Sequence, residues 1–203
     1  MSQHVSHSTR GPFNVLNQRP LIGNRFGQYF EAAPERFQQL RDLDVAVGIM
    51  NINRGGMILP VYCTRATWLV MVALGTGRLE MVGSQSQQRQ GHNYQKAVRG
   101  SVSVGDVFVI PAGHPITVMA TGESNLRMVG FGINGYNSRL NFLAGQESIW
   151  RNVKRQAKEL SFNMPAREVE EILQNQNESY FVAAPDQHQQ QQYVLSSILE
   201  FLF

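Results

Sequence analysis

Between residues 43 and 133, apolar side chains recur at alternate positions in short runs, and each run is cut by a turn bearing glycine or proline. A period of two sends successive side chains to opposite faces of an extended chain, so a sequence written this way builds sheets. Residues 43–53 read Leu-Asp-Val-Ala-Val-Gly-Ile-Met-Asn-Ile-Asn, and Gly55-Gly56 turns the chain into a second run at 57–62. Residues 67–74, Thr-Trp-Leu-Val-Met-Val-Ala-Leu, are almost continuously apolar and suit a strand buried on both faces. Gly75-Thr-Gly77 is a tight-turn signal before a strand at 78–82. Alternation resumes at 97–104, Gly105-Asp106 turns the chain, and 107–110 ends at Pro111-Ala-Gly113. Strands at 116–120 and 126–133 complete the set. About eight short strands without a long helix between them predict an antiparallel sandwich or barrel.

The flanks follow other rules. Residues 1–10 are polar, offer nothing to bury and are expected to be disordered. Residues 11–33 read as an ordered arm with one strand at 27–31, and 34–40 as a short helical turn opened by Pro34. Residues 83–96, Gly-Ser-Gln-Ser-Gln-Gln-Arg-Gln-Gly-His-Asn-Tyr-Gln-Lys, cannot support a core and predict a mobile Gln-rich surface loop within a barrel domain spanning 11–147. After Phe142 the period changes. Ile149, Trp150, Val153, Ala157 and Leu160 share one helical face, with Arg151, Lys154, Arg155 and Lys158 mostly opposite. Pro165 opens a second helix whose stripe is Val169, Ile172 and Leu173. This amphipathic helical arm, 148–182, either packs on its own barrel or serves a subunit interface, and the pattern leaves both open. The tail, 183–203, is Gln-rich and then apolar, which predicts a docked end.

Several function classes fall away. Of 203 residues only 16% are charged, the net charge is +3, and the arginines are scattered from Arg10 to Arg167, so there is no basic patch for nucleic acid. No run approaches the ~18 apolar residues that cross a bilayer, so no membrane role is expected. The first residues carry no apolar signal region; an addressing segment, if the protein is secretory, is expected outside this chain. One cysteine, Cys63, excludes an internal disulfide and reads as a core residue. No Gly-x-Ser-x-Gly elbow supplies a hydrolase nucleophile. Asn177-Glu-Ser179 is a glycosylation triplet, expected at the end of the second helix.

Gly105-Asp-Val-Phe-Val-Ile-Pro-Ala-Gly-His114-Pro115 resembles the second conserved cupin motif in the form found in vicilin-type (7S) seed storage globulins. Phe131-Gly-Ile-Asn-Gly, Asn141-Phe-Leu-Ala-Gly145 and Gln174-Asn-Gln-Asn-Glu-Ser-Tyr-Phe181 are similar to vicilin sequences. So are Arg19-Pro20, Asn24-Arg-Phe-Gly-Gln-Tyr-Phe-Glu31, Leu43-Asp-Val-Ala-Val47 and Thr64-Arg-Ala-Thr67. The resemblance covers residues 11–181. It implies an all-β fold with a helical extension: a cupin jelly-roll β-barrel followed by an amphipathic helical arm. It also implies the C-terminal module of a two-module polypeptide. The expected partners are the N-terminal cupin half of the same precursor, copies of the chain in a trimer, or both. The implied function is a nutrient reservoir in the protein storage vacuole of the seed.

Enzymatic cupins hold a metal on three histidines and a glutamate. Laying their pattern on Gly55 puts the ligand positions at Val61, Cys63, Trp68 and, in the second motif, Ile116. Neither an alkyl group nor an indole ligates a cation, so no catalytic residues are expected. Some vicilins resemble copper binders, with a cysteine on the first-motif strand and a histidine in the Pro-Ala-Gly-His turn. Here those are Cys63 and His114, with Tyr62 a further oxygen donor that strand alternation directs away from Cys63. A thiolate and an imidazole suit copper, the one cofactor the resemblance raises, but Arg65 stands where those binders have a second histidine. The alternative function is therefore a cupin that binds copper or a small ligand, with a protective or signalling role. A redox sensor at Cys63 requires an exposed thiol of low pKa.

Overall fold

The fold is a computed structural model that describes residues 11–89 and 92–185, and over 84–96 the backbone alone. In chain order its elements are β1 (Ile22–Asn24), β2 (Gly27–Ala32), α1 (Gln38–Arg41), β3 (Val45–Ile52), β4 (Gly56–Cys63), β5 (Thr67–Leu74), β6 (Gly77–Arg89) and β7 (His92–Val102). There follow β8 (Val107–Ile110), β9 (Ile116–Ala120), β10 (Leu126–Ile133), β11 (Leu140–Phe142), α2 (Arg155–Phe162), α3 (Ala166–Gln174) and β12 (Phe181–Ala183). One antiparallel sheet runs β1-β2-β3-β10-β5-β8 and the other β11-β4-β9-β6-β7, with β12 also on β4. Ile52, Val72, Leu126 and Met128 of the first sheet meet Ile58, Leu79, Val118 and Phe181 of the second in one core. The expected all-β fold with a helical extension is the observed one.

The turns work as their residues predict. Gly75 has φ +79°, and a Cβ there would lie 2.3 Å from the Asn125 carbonyl, so the β5–β6 corner closes only on glycine. In mid-β4, Pro60 lacks an N–H, and the β4–β9 register shifts between Ile58 and Val61. The other edge of β4 is divided at the same place: β12 pairs with its first half and β11 with its second. Tyr180 accepts from the Leu59 N–H at 2.8 Å and Pro60 accepts from Leu143 at 2.9 Å across the division.

Three expectations are corrected. Most of residues 83–96 are not loop: β6 and β7 continue through Arg89 and from His92 as one long hairpin. Ladder hydrogen bonds join backbone to backbone, so a hairpin can lengthen through Ser and Gln without a core beneath it. Residues 67–74 are not buried on both faces. Trp68, Val70 and Val72 point into the core, while Leu69 and Met71 are exposed on the outer face of the first sheet. Beside them, Phe131 is 50% and Val107 58% exposed. The neighbouring part of that face, Phe30, Ala32, Val47 and Ile49, is covered by Phe13, Val15 and Phe37, whose stacked rings Phe13–Phe37 lie 4.1 Å apart.

The third correction concerns the arm. Residues 149–152 form a 3₁₀ turn capped by Ser148, whose Oγ accepts the Trp150 N–H at 3.3 Å, and the α-helix starts only at Arg155. Trp150 folds back edge-on against Phe162, ring centroids 5.1 Å apart. Lys158, assigned to the polar face, is the buried residue of α2, and Leu160, assigned to the apolar face, is 85% exposed. The Lys158 stem packs between the helices and its Nζ reaches Glu170 Oε1 at 3.1 Å. Pro165 caps α3 instead of opening it. The helices end at Gln174, and residues 181–183 belong to the barrel, not to the arm. Readings on residues 1–10 and 186–203 lie outside the described residues.

Candidate functional site

Val61, Cys63, Trp68 and Ile116, the four positions that hold the metal in enzymatic cupins, converge on one cavity of about 80 Å³ between the sheets. Alternation on β4 turns Val61 and Cys63 inward and leaves Tyr62 half-buried. Met50, Val70, Phe108, Val118 and Met128 close the remainder. Room for the Trp68 indole comes from glycine: a Cβ at Gly48, Gly130 or Gly132 would fall 3.0, 3.1 or 2.9 Å from its ring. The indole N–H donates to the Cys63 sulfur at 3.1 Å, and Tyr29 meets the indole edge-on with centroids 6.3 Å apart.

A second cavity, about 510 Å³, opens at the barrel mouth and shares Cys63, Trp68 and Leu140 with the first. Its polar lining includes Glu31, Glu35, Arg36, Arg139, Glu147 and Tyr180. The Tyr29 hydroxyl donates to Glu31 Oε2 at 2.6 Å. Burial, then the Glu31 charge, pushes the Tyr29 hydroxyl well above the usual phenol range. Burial also raises Glu31, with the Tyr29 hydrogen bond opposing it. Burial drives the Cys63 thiol up to about 11 despite the indole bond, so it stays protonated at neutral pH. That is the opposite of the thiolate a redox sensor needs. Sequence reasoning assigned no role to Tyr29 or Glu31; their signal was an aromatic and a carboxylate two apart on β2, which one strand face brings together.

Cys63 and His114 come from adjoining backbone, since the Gly113 N–H donates to the Cys63 carbonyl at 2.8 Å. Their side chains go to different partners. The His114 Nδ1 sits 3.0 Å from the Ala112 carbonyl, and the rest of the ring lies where a Cβ on Gly83 would be, 2.5 Å from His114 Cδ2. His114 lines neither cavity, whereas Tyr62 borders the apolar one. Arg65 turns outward to Asp44, at 3.0 Å, and to the Tyr136 carbonyl. No group of three or more His, Cys, Asp or Glu among the described residues is placed to hold a metal. The Cys63 sulfur faces the Trp68 N–H and the His114 Nδ1 faces a carbonyl, so as they stand the two side chains do not fit copper as a pair of ligands.

The cupin family model matches residues 13–170. A vicilin from Capsicum annuum superposes with a TM-score of 0.82 at 64% identity, covering 87% of this chain and 46% of that one. A vicilin from Solanum melongena gives 0.82 at 60%, covering 87% and 47%. Conglutin beta 1 of Lupinus albus is 42% identical over 91% of this chain and 36% of its own length. The chain thus spans about half of these solved vicilins and about a third of that curated relative.

Proposed function

This chain belongs to the cupin family, as a barrel module of the vicilin (7S globulin) type, and on that premise we propose that it is part of a non-catalytic nutrient reservoir of the seed. One observation carries the reading. The four ligand positions of the enzymatic site meet in one cavity and present Val61, Cys63, Trp68 and Ile116, with the Cys63 sulfur bonded to the indole. What remains is a packed barrel whose value lies in its amino acids and in dense assembly. The relatives are storage globulins, which favours the reservoir over the small-ligand alternative.

The partner follows from an uncovered surface. Leu69, Met71, Val107, Val109, Phe131 and Ile133 form a contiguous exposed apolar strip across β5, β8 and β10, the kind of surface that marks an interaction site. A second cupin module of the same precursor covers it in this reading, consistent with a chain half as long as the solved vicilins. The exposed Leu160 and Ile172 of the arm then join such units into a trimer. Among the described residues no helix is long and apolar enough to cross a membrane. The proposed location is the protein storage vacuole, reached by the secretory route.

An antibody against the chain tests the reservoir reading through seed maturation and germination. Accumulation in the vacuolar fraction, followed by disappearance as the seedling grows, is the expected course. A constant low level in seed and leaf alike, or metal-dependent turnover of a substrate that Ile116→Asp abolishes, would sink it.

A further inference from the structure

Asn177-Glu-Ser179 is the chain's one Asn-x-Ser/Thr triplet, and its middle residue is not proline. The sequence placed it at the end of a helix, a position of restricted access. The structure removes that obstacle. The helix α3 stops at Gln174 with Asn175 as its cap, residues 176–178 have no regular structure, and Asn177 is exposed. Among the described residues nothing bonds the Asn177 amide, while everything around it is fastened. Gln176 Oε1 accepts the Glu178 N–H at 3.0 Å, the Glu178 carbonyl accepts from Gln146 at 3.2 Å, and Arg25 holds the Glu178 carboxylate at 2.7 Å. The Asn24 side chain donates to the Ser179 carbonyl at 2.8 Å.

We infer that Asn177 is the attachment site of an N-linked oligosaccharide. The inference rests on the secretory route proposed above. The donor class is a lipid-linked pyrophosphoryl oligosaccharide. A bond forms between Asn177 Nδ2 and the anomeric carbon of the reducing-end sugar, the bond from that carbon to the pyrophosphate oxygen breaks, and the amide proton leaves as the lipid pyrophosphate departs. The fold accepts the product, because the side chain that carries it supports nothing. The position also stays clear of the apolar strip: Asn177 is next to Glu178, which is held by Arg25 of the β1–β2 turn, and the strip lies toward the opposite, β8 edge of that sheet.

The full chain, produced behind a secretion leader in plant cells and parallelled by translation into microsomes, is read by intact mass and peptide mapping. The expected wild-type result is a glycan mass on Asn177 that an amidase-type glycosidase removes, leaving aspartate. N177Q and S179A lose that mass, S179T keeps it, and N177Q melts at the temperature of the deglycosylated wild type. A translocated, folded wild-type chain bare at Asn177 overturns the inference, as does an N177Q chain that melts well below the deglycosylated protein. The seed time course is independent: a bare chain that is still laid down and consumed defeats the glycan alone, and a glycosylated chain at constant seed level defeats the reservoir alone.

Discussion

The chemistry of Cys63 is set by what surrounds it. Removing the thiol from water disfavours its charge, and the Trp68 N–H on its sulfur offsets only part of that. Native protein at about pH 8, where an ordinary thiol of pKa ~8.5 is already partly ionised, should react with a thiol reagent far more slowly than urea-unfolded protein. Equal rates would mean that the barrel opens readily. Glu31 gives a prediction of known sign. Its folded pKa is raised, so the fold prefers the neutral acid: the stability this contributes is present below the unfolded carboxyl pKa and is lost as pH rises through the folded one. Glu31→Gln should therefore melt above wild type at neutral pH, with the gap closing as the pH falls below the usual carboxylate range. A gap that widens in acid would show that the Tyr29 bond to the charged form outweighs burial.

At the level of elements, two devices govern packing. The indole of Trp68 rests on bare backbone at Gly48, Gly130 and Gly132, so Gly132→Ala should destabilise by about 1–3 kcal/mol through overpacking, visible in the melt and in the near-ultraviolet signal of the indole. The helical hairpin carries a pair that is only half inside, the side chains of Lys158 and Glu170 being 6% and 49% exposed. Fully buried pairs lose ~3–5 kcal/mol when one partner goes; with Glu170 screened by water, Glu170→Gln should cost about 1–2 kcal/mol, and Lys158→Met close to nothing. Calorimetry of both variants decides, and an equal loss in each would mean that packing, not charge, matters there. Strands β8, β9 and β10 were legible to the residue because turn chemistry and alternation agree on them. The far end of the β6–β7 hairpin was not, because backbone pairing leaves no mark in side-chain pattern. The four inward positions were legible from motif spacing. The Tyr29–Glu31 pair was not, because β2 carries neither motif and reaches the site only through the folded sheet.

For the molecule as a whole, the proposed association rests on the exposed strip on β5, β8 and β10. The single module should self-associate at micromolar concentration, and Val109→Asp with Phe131→Asp should shift it toward a monomer in light scattering without lowering its melting temperature. A clean wild-type monomer would count against an interface there. The arm has a mechanical property that follows from β4. Its departure at β11 and its return at β12 are sewn to one edge of the same strand, on either side of Pro60. Residues 143–180 are thus a handle riveted at both ends. A neighbour that grips Leu160 or Ile172 pulls along two ladders at once, in shear and not one bond at a time. In the proposed trimer, tension between subunits would be delivered directly to the wall of the barrel.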